Sequence, residues 1–119
     1  MPPLDAKWLA DLGQRVRAIT VGEPGEGRLL LGQEVTDTPD GTVRFTISIG
    51  DGLPCALLAG TTDSADVVLV EDYETATKLL GGAAVTTLLE EGRIKLRGDV
   101  SALLGRDAEL AALGEAIGP

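Results

Sequence analysis

DVVLVEDYETATKLLGGAAVTTLLEEGRIKLRGDVSALL, Asp66 to Leu104, reads as strand, two short helices, strand and helix, with a turn residue at each junction. Val67-Val68-Leu69-Val70 is an unbroken apolar run, the pattern of a central strand covered on both faces. Asp72 is placed to cap a helix that runs through Leu80 and ends at Gly81-Gly82. A second short helix follows from about Ala83 to Glu91, with Gly92 as its stop. Arg93 to Arg97 makes a further strand, with Ile94 and Leu96 pointing one way and the three basic residues the other. Gly98-Asp99 then caps a last helical region, where Val100, Leu103, Leu104, Leu110, Leu113 and Ile117 form an apolar stripe interrupted at Gly105. These helices carry Ala, Val, Thr and Leu where an enzyme would place histidine, cysteine or paired acids, so the segment is built to enclose apolar space.

Upstream, Asp5 can cap a helix over about 5–20 whose apolar residues Trp8, Leu9, Leu12, Val16 and Ile19 recur at helical spacing. GEPGEG, residues 22–27, is a loop; it lacks GxGxxG spacing and no strand precedes it, which removes a phosphate-binding reading. From Arg28 to Thr36 the chain is extended. Thr38-Pro39-Asp40-Gly41 is a turn, because proline sets φ and glycine accepts a positive one. In TVRFTISI, Val43, Phe45, Ile47 and Ile49 alternate with Thr42, Arg44, Thr46 and Ser48, which defines a half-buried strand. Gly50-Asp51-Gly52 turns the chain again into a third strand over Leu53 to Ala59, and these three strands should form an antiparallel meander. Cys55 sits in the third strand as a small hydrophobe.

The 119 residues are expected to form a single domain, 1–119, with the sheet and its helices over 28–118. Phe45, Trp8 and Tyr73 are the only aromatic residues, so the interior is aliphatic. The net charge of −9 and a pI near 4.3 argue against nucleic acid, which requires a basic surface. The lone cysteine permits no intramolecular disulfide, and the start MPPLDAKW lacks the basic-then-apolar run of a signal peptide, so a cytoplasmic location is expected. No apolar stretch approaches the ~20 residues needed to span a bilayer.

Histidine is absent, which removes the commonest general base, the Ser-His-Asp and Cys-His arrangements, and imidazole metal ligands. The adjacent acids Glu71-Asp72 and Glu90-Glu91 diverge along the chain and suit helix capping or solvent exposure better than acid–base catalysis. No EF-hand-like spacing of acids occurs, and no cofactor or metal is expected.

AD-VVLV at 65–70, DYETATKLLGG at 72–82, GRIKLRGDVSALL at 92–104 and, less specifically, VRFTISIGDG at 43–52 together resemble the sterol carrier protein type 2 family, in particular its short bacterial single-domain members. The pieces cover about half of the chain, and GRIKLRGD after a glycine-ended helix pair is the most specific of them. The resemblance implies an α+β fold, a five-stranded, mainly antiparallel sheet with helices packed on one face, enclosing an apolar tunnel. It also implies reversible binding of fatty acids, fatty acyl-CoA or sterols without a catalytic step. The chain departs from that pattern in its scarcity of aromatic residues and in Gly81-Gly82-Ala83-Ala84, where relatives tend to carry a polar residue after the first glycine.

Two functions fit these residues. One is a non-enzymatic carrier of a hydrophobic small molecule, with Phe45 and Ile47 of the sheet, Val85, Leu88 and Leu89 of the second short helix, and Leu103, Leu104, Leu110 and Leu113 of the C-terminal region as ligand-binding candidates. Core packing alone accounts for apolar residues at these spacings as well. The other is an interaction module of the same fold with a filled core, forming a homodimer or docking on an enzyme partner.

Overall fold

The structure, a computed structural model, describes residues 5–20, 24–25, 27–80 and 85–103. Helix α1 spans Ala6–Val16, and Asp5 caps it through Oδ1, which accepts the Trp8 backbone N–H at 2.7 Å. Leu12 and Val16 are buried, with Trp8 and Leu9 packed against the same core. The helix ends earlier than the expected 5–20. The Ile19 carbonyl accepts the Cys55 N–H at 2.9 Å and Thr20 bridges Pro54, so tertiary hydrogen bonds replace the last helical turn.

Five strands follow the order β3-β2-β1-β4-β5: β1 (Arg28–Thr38), β2 (Gly41–Gly50), β3 (Ala56–Ala59), β4 (Val67–Asp72) and β5 (Lys95–Gly98). β1–β2, β2–β3 and β4–β5 are antiparallel, and β1–β4 is parallel. The chain is therefore α+β with a mainly antiparallel sheet, and the β1–β2–β3 meander is present. The middle strand is β1 rather than β4, because the chain leaves β3 at one edge and re-enters the sheet on the far side of β1. Two strands differ from their expected limits. β3 begins at Ala56 rather than Leu53, since Pro54 has no N–H and that of Cys55 is taken by Ile19. β5 runs from Lys95 to Gly98 rather than from Arg93 to Arg97, since Arg93 still closes the preceding helix.

Helix α2 (Tyr73–Leu80) starts at Asp72, whose Oδ1 accepts the Thr75 N–H at 2.8 Å. Helix α3 (Val85–Glu90) ends in a Schellman closure: Gly92, at φ 74°, donates to the Leu89 carbonyl at 3.0 Å and Arg93 donates to the Leu88 carbonyl at 2.9 Å. Asp99 caps a single 3-10 turn, Val100–Leu103, by accepting the Ser101 N–H at 3.1 Å. The rest of the expected C-terminal stripe, Leu104, Leu110, Leu113 and Ile117, lies outside the described residues.

The crossing from β3 to β4 explains why β4 is apolar on both faces. Residues 60–66 run over the outer face of the sheet, where the Thr61 carbonyl accepts the Thr46 hydroxyl at 2.9 Å. Asp66 pairs with Leu30 twice, its N–H donating to the Leu30 carbonyl at 2.8 Å and its Oδ2 accepting the Leu30 N–H at 2.9 Å. Thr46 and Val68 are buried under this loop. Gly32 makes the close approach possible: a Cβ there would stand 2.9 Å from the Ala65 Cβ and 3.0 Å from Val68 Cγ2.

Candidate functional site

Because strand side chains alternate, the pairing register assigns one face of the sheet to Leu29, Leu31 and Val35 of β1, Val43, Phe45, Ile47 and Ile49 of β2, Leu57 of β3, and Val67 and Leu69 of β4. This inner face carries the core, and α1 lies against β3 while α2 lies against β1 and β4. Between α1 and the β2–β3 edge opens a groove of about 560 Å³. Ala6, Leu9, Ala10 and Gly13 form its helical wall, and Val43, Leu57 and Ala59 form its floor. Ala6, Ala10 and Gly13 fall four and three residues apart on one helical face, so α1 presents backbone where a bulky stripe would have filled the space. Gln14, Arg17, Thr42 and Arg44 supply the polar rim. The volume lies within the ~300–1,000 Å³ of small-molecule sites.

Phe45, Ile47 and Leu88 are buried in the core, and Leu89 packs against it half-exposed. Val85 lies at the start of α3 and Leu103 in the 3-10 turn, whereas Leu104, Leu110 and Leu113 fall outside the described residues. Phe45, Ile47, Leu88 and Leu89 are not among the residues that line the groove. Phe45 and Ile47 adjoin it through their strand neighbour Val43 and cross-strand partner Leu57. Sequence reasoning missed α1 as a wall, and the Ala6, Ala10, Gly13 spacing was the available signal.

A buried acid interrupts the inner face. Glu71, opposite Val35 in the parallel β1–β4 pair, is 4% exposed, and its Oε2 has no hydrogen-bond partner. Among the described residues it is the only buried side-chain oxygen or nitrogen left so. Burial, with a smaller contribution from the neighbouring Asp72 charge, pushes its carboxyl up to about 8. An unmade hydrogen bond of this kind costs roughly 1–3 kcal/mol.

Several other charges have structural partners. Glu34, on the outer face, accepts from Arg44 Nε at 2.9 Å and Arg97 Nη1 at 3.4 Å; the Arg44 hydrogen bond above all holds its carboxyl below the usual range. Arg93 pairs with Glu91 at 2.9 Å, and Arg28 donates to Ser48 Oγ and to the carbonyls of Ser48, Gly50 and Pro54. The Thr75 hydroxyl and N–H hold the Asp72 carboxyl below its ordinary value, consistent with its capping role. No group of three His, Cys, Asp or Glu side chains able to hold a metal ion occurs among the described residues, and no helix among them is long and apolar enough to cross a membrane. Burial pushes the Cys55 thiol up, against a smaller opposing effect of Arg28. Maleimide labelling of Cys55 should therefore be at least tenfold slower in the native protein than in urea, and equal rates would show that the β3 end opens freely.

This arrangement, a mixed five-stranded sheet with one apolar face covered by helices and a single parallel pair at its centre, is the sterol carrier protein fold. The chain is similar over 96% of its length to a crystal structure of sterol carrier protein 2, of which it covers 95%, with a TM-score of 0.67 at 18% identity. A conserved hypothetical protein of Thermus thermophilus matches over 98% of this chain and 88% of its own, with a TM-score of 0.64 at 20% identity. Palmitated SCP2L2 from Aedes aegypti matches over 92% and 89%, with a TM-score of 0.55 at 23% identity. No protein-family model matches the sequence, and no curated protein matches it.

Proposed function

We propose that this protein binds a hydrophobic small molecule reversibly and without catalysis, in the class of fatty acids, fatty acyl-CoA or sterol-like lipids. The observation that carries the reading is the groove between α1 and the β2–β3 edge, whose floor residues Val43 and Leu57 belong to the apolar inner face. Each methylene buried there contributes about 0.8 kcal/mol before ordering costs, so an aliphatic wall holds an alkyl chain without a precise polar contact. Phe45 and Ile47 then back the floor on which the ligand lies, next to Val43 and Leu57. The names of the structural neighbours, sterol carrier protein 2 and a palmitated SCP2L2, point to the same ligand class.

Gly13 tests the site, because a Cβ at that position would be in ordinary contact with the Leu57 Cβ at 3.9 Å and longer side chains extend into the groove. Gly13→Phe is expected to weaken uptake of a fluorescent fatty acid at least tenfold while leaving the circular dichroism spectrum unchanged. A folded variant with undiminished uptake would move the site elsewhere.

A second reading, an interaction or dimerisation module, is favoured by the β3 edge, where Leu53 and Leu58 are largely exposed. Native mass spectrometry separates the two: a lipid adduct on a monomer supports the carrier, and a ligand-free dimer supports the module.

A further inference from the structure

Val43, Val35 and Glu71 are in register across β2, β1 and β4, so one row of inner-face residues begins in the groove at Val43 and ends at the Glu71 carboxyl. With neighbouring strands about 4.8 Å apart, the backbone of Glu71 lies about 10 Å across the sheet from that of Val43, on the far side of the central strand β1. Gln33, half-buried, occupies the same face beside Leu69. The row is otherwise aliphatic. Asp72, the adjacent acid, points to the opposite face and is occupied as the α2 cap. Glu71 is thus a buried polar group at the far end of an aliphatic row that starts in the groove, with an oxygen that nothing in the described chain satisfies.

A core position of this kind needs no carboxyl for folding, since an aliphatic residue would cover Val35 equally well and leave no orphaned atom. A ligand hydroxyl entering along the row would donate to Oε2 and complete it. A ligand carboxylate would place a second acid against the first, away from water, where two such groups share one proton at best and a net negative charge stays buried. Deepening the lipid-binding reading, on which this rests, we propose that Glu71 is a specificity-determining residue that selects hydrophobic ligands ending in a neutral hydrogen-bond donor, such as a hydroxyl, over those ending in a carboxylate. Its own state agrees with that role, because a carboxyl pushed up to about 8 is mostly an uncharged acid at pH 7 and accepts a hydroxyl without holding a bare charge in the core.

The test is displacement of diphenylhexatriene, a neutral fluorescent hydrocarbon, by three sixteen-carbon competitors at pH 7: hexadecane, hexadecan-1-ol and hexadecanoate. The native protein is expected to prefer the alcohol to the carboxylate at least tenfold. Glu71→Leu should keep diphenylhexatriene affinity while bringing the alcohol down to the level of hexadecane. Glu71→Gln, nearly isosteric, should raise hexadecanoate affinity, because its amide N–H groups solvate the carboxylate without a competing acid. Unchanged alcohol-to-carboxylate ratios in folded variants that still bind diphenylhexatriene would overturn the role of Glu71 and leave the lipid-binding reading standing. A native protein that takes up neither the dye nor any competitor would overturn both.

Discussion

The folding stability of this protein should fall as pH rises from about 4.5 to about 8, and Glu71→Gln should abolish most of that slope. Below pH 4.5 the Glu71 carboxyl is protonated in both folded and unfolded chains, so its folded-state contribution is fully present. Above it the unfolded chain releases the proton, while the folded chain retains it until about 8. Stability is lost through this window at up to about 1.4 kcal/mol per pH unit, which accumulates to several kcal/mol. Glu34 and Asp72 act in the opposite direction: their lowered folded values contribute stability above the ordinary carboxylate range that disappears as pH falls through them. A maximum near pH 5 follows. Urea unfolding followed by Trp8 fluorescence at pH 5, 6, 7 and 8 measures the slope, and Glu71→Gln should be the more stable protein at pH 8. Parallel curves for the two proteins would show that the carboxyl reaches water in the folded state.

Gly98→Ala should destabilise the fold by roughly 3 kcal/mol, which is large for a single added methyl group. Gly98 sits at φ 98°, at the end of the edge strand β5, where an L side chain is strained. A Cβ there would also stand 2.7 Å from the Asp66 carbonyl oxygen, which is already engaged by the Asp99 N–H at 2.8 Å. That oxygen is backbone, held in place because Asp66 also pairs with Leu30, so no flexible side chain can yield. Gly41→Ala is the control: its φ is also positive, 89°, but nothing lies within 4 Å of the added carbon, so only the conformational part of the loss should appear. Equal urea midpoints for the two variants would refute the close-approach explanation.

Local chemistry made much of this fold legible. The alternation of Val43, Phe45, Ile47 and Ile49 set the inner face of β2, Asp5 and Asp72 cap the helices they were expected to cap, and Gly92 stops α3 by the left-handed closure its position implied. These signals act over a few residues, through side-chain alternation, short-range hydrogen bonds and φ, and need no distant partner. The ends of α1, β3 and β5 were less legible, because each is decided by a hydrogen bond from elsewhere, as when the Ile19 carbonyl takes the Cys55 N–H.

Strand neighbours and covered faces were decided only by tertiary structure. The 60–66 crossing places β4 parallel to β1 and buries Val68 from the outside, which no periodicity within β4 specifies. Glu71 shows the consequence most clearly. As one of two adjacent acids before a helix it reads as a capping or exposed residue, and Asp72 does cap. Strand alternation then turns Glu71 to the opposite face, and only the helices packed on that face make it a buried, unpartnered carboxyl. The amino-acid sequence by itself determined the elements, their caps and the aliphatic interior, because those depend on near neighbours. The groove beneath α1 and the buried, unpartnered Glu71 carboxyl exist only once distant segments are brought together.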